Sequence, residues 1–98
     1  MSTTSVSSGA LATGSTTTLL SGKATLNSVQ LIGDGTNAPT VIVYDNTAGS
    51  GKIIAQLSGA ATEKFVAFVP AFAIRSDIGL TVVVSGTGSS AIIGYGAT

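Results

Sequence analysis

The sequence predicts a small all-β domain, an antiparallel β-sandwich or barrel of about eight short strands. Three observations predict it. Short apolar runs rich in Val, Ile, Leu and Phe recur along the chain, several of them alternating with period two. Breaks rich in Gly, Ser, Asn and Asp separate these runs at the spacing of a sandwich or barrel. The chain has 98 residues, 44% of them hydrophobic, which suits one domain with one modest core.

Residues 1–18 are dominated by Ser, Thr, Gly and Ala, too polar to order themselves by burial. They form an N-terminal arm, and residues 19–98 form the β-domain. A flexible tail and an arm laid along a partner's sheet edge both fit this composition. Thr16 to Leu20 already reads as a strand. Gly22 to Gly33 follows, with Leu26, Val29, Leu31 and Ile32 as its apolar set. Its alternation slips near Asn27 and Ser28, which predicts a β-bulge. Gly33 to Asn37 is a loop, and Pro39 delays the next strand because it cannot donate to a ladder.

Thr40 to Asp45 is apolar on both faces, so one face is covered by more of the chain or by another chain. With Lys52 to Leu57 it reads as a β-hairpin, and Asn46, Gly49 and Gly51 can supply positive φ in the connection. Thr62 to Val69 is again apolar on both faces, and Pro70 ends it or bends it. Ala71 to Arg75 is a short strand carrying Phe72 and Ile74. Ile78 to Ser85 alternates most cleanly, with Ile78, Leu80, Val82 and Val84 on one face. Gly86 to Ser89 is a second glycine-rich reversal, and Ser90 to Tyr95 is the last strand. Ile53, Leu57, Ala61, Phe65 and Phe68 also fit a helical stripe, but Gly59 sits inside it, which costs about 1 kcal/mol relative to Ala.

Charge is the unusual quantity. Only 8% of residues are charged and the net charge is zero, whereas soluble domains average about a quarter charged. So little charge leaves a free monomer poorly protected against association. The expectation is a surface covered by neighbours. Lys23, Lys52, Lys64 and Arg75 are scattered, unlike the clustered basic residues of a nucleic-acid binder. No apolar run approaches the length needed to cross a bilayer, and no secretory signal is evident.

Chemistry finds little to work with. The chain has no Cys and no His, which removes thiolate chemistry, the commonest general base and the commonest metal ligand. Gly49-Ser50-Gly51-Lys52 departs from a phosphate loop: Asn46 stands at the first glycine position, Ile53 follows the lysine, and a strand is expected next. Gly86-x-Gly88-x-x-Ala91 lies too near the chain end for the helix and acidic residue of a dinucleotide site. Asp34-Gly35-Thr36-Asn37 lacks calcium-loop spacing and reads as a turn. Neither catalytic residues nor cofactor or metal ligands are assigned. Tyr44 and Tyr95 are candidates for an interface or for sugar stacking, against the commoner role of a packed ring with its hydroxyl at the rim.

Val29-Gln30-Leu31-Ile32 before Gly33-Asp34, Val43-Tyr44-Asp45-Asn46-Thr47 with Gly49-Ser50-Gly51, and Gly79-Leu80-Thr81-Val82 with Gly86-Thr87-Gly88 resemble small virion structural proteins of tailed bacteriophages, cyanophages included. The resemblance spans residues 22–95 and carries no catalytic signature. It implies a jelly-roll-like β-sandwich on the capsid surface that decorates or cements the shell. The partners it implies are the major capsid protein and other copies of the chain, a trimer being one arrangement. No nucleic acid, membrane or small-molecule substrate is expected. Thr16, Thr17, Thr18, Leu19, Leu20, Tyr44, Phe68 and Tyr95 are the candidate interface residues. The alternative is a virion knob, fibre or tail-associated module that binds a host glycan or receptor.

Overall fold

The computed structural model describes residues 6–68 and 73–97. These form ten strands and no helix: β1 (Val6–Ser7), β2 (Leu11–Ala12), β3 (Thr16–Ser21), β4 (Ala24–Ile32), β5 (Thr40–Asp45), β6 (Lys52–Ser58), β7 (Phe65–Phe68), β8 (Ile74–Ser76), β9 (Gly79–Ser85) and β10 (Ser90–Ala97). Every pairing is antiparallel. One sheet runs β1-β10-β4-β7, with β2 also on β10 and β8 also on β4; the other runs β3-β9-β5-β6.

One core lies between the two sheets. Leu26, Val29 and Leu31 of β4 and Ala91 and Ile93 of β10 come from the first sheet; Val41 and Val43 of β5 and Leu80, Val82 and Val84 of β9 come from the second. All are fully buried, and alternate residues along each strand supply them, which is why the period-two pattern was visible in the sequence. The ladder between β10 and β4 jumps from Gly94–Ser28 to Tyr95–Leu26, so Asn27 is the bulged residue that the broken alternation predicted.

The two strands beyond the expected eight lie in the N-terminal arm. Val6 pairs with Tyr95 and Leu11 with Ala91 of the same chain. Between them Ser8 N–H donates to Ile93 O at 2.8 Å, and Ile93 N–H donates to Ser8 Oγ at 2.9 Å. The arm thus satisfies an edge of β10 that would otherwise present open backbone groups. β3 runs through residue 18, where the sequence placed the end of the arm.

The strands read over residues 53–68 hold against the helical stripe: β6 and β7 lie there, and Val66 of β7 pairs with Leu31. Two expectations change. Ile78 does not join the buried face of β9; it sits in the turn before it, 58% exposed. Of the three residues offered for positive φ in the hairpin, only Gly51 adopts it, at 100°. The expectations for Val69, Pro70 and Phe72 fall outside the described residues. Gly86 shows why glycine stands at the second reversal: its φ is 100°, and a Cβ there would collide with Ala38 O.

Candidate interaction surface

The outer faces of the two sheets are built from cross-strand rows. On the second sheet one row runs Thr16, Val83, Ile42, Gln56, and the next runs Thr18, Thr81, Tyr44, Ile53. The β5–β6 connection, Asn46 to Gly51, is folded back over the first half of these rows. Thr81 Oγ1 donates to Asn46 O at 2.8 Å, and Thr18 Oγ1 donates to Thr47 O at 3.1 Å. Asn46 closes the strap on itself by donating from Nδ2 to Ser50 O at 2.8 Å. A Cβ on Gly49 would meet Val83 Cγ2 at 2.9 Å and Thr16 Cγ2 at 3.1 Å, so only glycine lets the strap lie this close. Thr81 is fully buried beneath it. Ile42 and Tyr44, both half-buried, and Ile53, 48% exposed, lie beyond it toward β6.

On the first sheet the outer rows are Phe65, Ile32, Ser90, Ala12, then Ala67, Gln30, Ile92, then Ser28, Gly94, Ser7. Phe65 is 58% exposed and stands outside the core cluster. A shallow groove of about 300 Å³ crosses this face, lined by Val6, Ser7, Ser28, Gln30, Ile92 and Gly94.

Charge is kept off the outer face of the second sheet, and Arg75, opposite Thr25, is the charged side chain on that of the first. Lys23, Asp34, Glu63, Lys64 and Asp77 lie in connections, Asp45 and Lys52 at strand ends, and Arg75 alone in the middle of a strand. Arg75 pairs with Asp77 at 3.2 Å on the surface, where such a bridge contributes little. Asp45 is different. It is almost fully buried, and its Oδ1 accepts the backbone N–H groups of Ile78 at 2.9 Å, Asp77 at 3.1 Å and Gly79 at 3.4 Å. Chiefly the Ile78 N–H, and then those of Asp77 and Gly79 with a smaller pull from Lys52, hold its carboxyl below the usual range against the opposing effect of burial. Asp34 accepts N–H bonds from Thr36 and Asn37 at 2.8 Å each, which lower its pKa to about 2. Both acids are turn clamps; among the described residues no acidic cluster could hold a metal ion.

The eight residues predicted for an interface are not brought to one place. Thr16, Thr17, Thr18, Leu19 and Leu20 form most of the β3 edge, with Thr16 and Thr18 outward and Leu19 and Leu20 packed toward the core. Tyr44 shares the outer face with Thr16 and Thr18. Phe68 opposite Val29 and Tyr95 opposite Leu26 pack against the core from the first sheet. Sequence reasoning missed Ile42, Ile53 and Gln56 as surface neighbours of Tyr44, because which face points inward depends on the ladder. It also missed the strap, whose anchor residues Thr18 and Thr81 are far apart in sequence.

Comparison with protein-family models, with curated proteins and with solved structures finds no match to this chain.

Proposed function

We propose that the chain is a structural protein of a bacteriophage virion that binds the outside of the capsid and stabilises it through protein–protein contacts. The observation that carries this reading is the placement of charge. Both outer sheet faces offer uncharged rows of Ile, Tyr, Phe, Thr, Ser and Gln, while ionic groups stay in connections and at strand ends apart from Arg75, which stands opposite Thr25 on the outer face of the first sheet. Such faces lose little desolvation energy when covered by a neighbour. The resemblance to tailed-phage virion proteins supplies the class of neighbour.

The same reading takes the fold as a jelly-roll sandwich. Counting β1 with β2 and β7 with β8 as single lanes, the sheets read 1-8-3-6 and 2-7-4-5, which is the order of two interlocked Greek keys. The smallest dimension, 19 Å, accommodates two sheets packed about 10 Å apart with side chains on both outer faces.

Capsid binding would act by linkage: contacts made only in the closed shell lower its free energy relative to its parts. The test is deletion of the gene from the phage, followed by heat or osmotic challenge of purified heads. Heads that burst more readily while adsorption stays normal support capsid decoration. Normal heads with lost adsorption support the alternative, host-glycan or receptor binding. The uncharged groove with Ser7, Ser28 and Gln30 favours that alternative in its polar lining, but no aromatic ring lines it for stacking on a sugar.

A further inference from the structure

We propose that the free edge of β6 is a self-association edge, pairing antiparallel with β6 of a second copy about a two-fold axis through Gln56. This rests on the reading that the chain associates with copies of itself, and it names the surface.

The two sheets end in four lanes. β1 and β2 are two-residue pieces, and β7 and β8 are strands of four and three residues, so among the described residues neither lane of the first sheet offers a long template. β3 carries its bulge in mid-strand, between Thr18 and Leu20, with the strap anchored on Thr18. β6 has seven residues, and its ladder runs to β5 alone among the described residues. Its irregularity falls at Ile54, near the start, leaving Ala55 to Ser58 regular. Natural edge strands are usually blunted by Lys, Pro or a central bulge. The regular part of β6 carries none of these.

The register follows from its side chains. Pairing strands in one sheet must keep inward residues beside inward residues. Ala55 and Leu57 face the core side, opposite Val43 and Val41, and Gln56 faces out, opposite Ile42. An axis through Gln56 sets Ala55 against Leu57 of the second copy and Gln56 against Gln56, whose amides can each donate and accept. The sole charged residue of the strand, Lys52, then lies eight strand positions from its mate, about 27 Å at strand rise, beyond the range of unscreened repulsion. The uncovered apolar residues Ile42, Tyr44 and Ile53 flank the seam on the outer face. The product is one eight-stranded sheet from two copies of β3-β9-β5-β6.

Sedimentation equilibrium on the purified chain tests this, with two variants. The wild type is expected at twice its 9.5 kDa mass. Gln56→Lys, at an exposed position, places like charges on the axis and should weaken the dimer at least about tenfold while amide spectra stay dispersed. Gln56→Cys adds a lone thiol to a chain without cysteine; mild oxidation should link it into a covalent dimer, and Thr36→Cys in the β4–β5 loop should not link. A monomeric or trimeric wild type, or a dimer unmoved by Gln56→Lys together with a Gln56→Cys variant that stays unlinked, overturns the inference. Those outcomes leave capsid binding standing, because the deletion experiment measures it separately.

Discussion

Replacing Asp45 by Ala removes an acceptor that three backbone N–H groups share, at 2.9, 3.1 and 3.4 Å. Hydrogen bonds to a charged group contribute about 1.5–3 kcal/mol each, and a buried donor left unpaired costs about 1–3 kcal/mol. The 3.4 Å contact is weak, and the turn at Asp77 and Ile78 is exposed enough for water to replace part of the loss. The expected cost is therefore about 3 kcal/mol, or a fall in Tm of about 12–24 °C for a domain of this size. Asp45→Asn keeps an acceptor oxygen and should cost about 1 kcal/mol. The pH dependence has a definite sign. The folded carboxyl titrates below its unfolded value of about 3.9, so its contribution is complete above that pH and is lost as pH falls through the folded pKa. Urea unfolding at fixed protein concentration, from pH 7 to pH 2, should show the gap between wild type and Asp45→Asn closing as the solution is acidified. An Asp45→Ala variant within about 0.5 kcal/mol of wild type, or a gap independent of pH, would refute the clamp.

Gly86→Ala combines positive φ with a clash against Ala38 O, and it should cost about 3 kcal/mol or more by thermal unfolding. Gly9→Ala, at φ 71° with open space around it, should cost only about 1 kcal/mol. Leu26→Ala, fully buried between the sheets, should cost about 2–5 kcal/mol in urea. Thr81→Val removes the hydroxyl bonded to Asn46 O; about 1 kcal/mol of stability should be lost, with faster hydrogen exchange confined to the amides of residues 46–51. Titration followed by carboxyl carbon chemical shift should place Asp34 at about 2, and Asn37→Ala should raise it, since the Asn37 side chain also donates to it.

The core strands were readable because Leu26, Leu31, Val41, Val43, Leu80, Val82 and Val84 alternate with residues of the other face, and burial on one face is what that alternation encodes. The Asn27 bulge was readable for the same reason, as a slip in the alternation. Ile78 misled because it continues the β9 period by one step, while Asp45 draws its N–H into a turn instead. The β1 and β2 bridges were hidden because two-residue strands have no period. The surface was the least legible part. Cross-strand neighbours such as Ile42 and Gln56, and long-range anchors such as Thr18 and Thr81, exist only once the register is known. Doubly apolar Thr40–Asp45 did signal an outer face of unusual character, and Ile42 and Tyr44 now form it.

Charge-poor faces that serve as contact surfaces of a virion require the chain to be an abundant part of the particle. Quantitative mass spectrometry of particles purified from the source that encodes the chain tests this most directly. Hundreds of copies per particle are predicted. Particles that contain none of it would rule out a structural role in the virion.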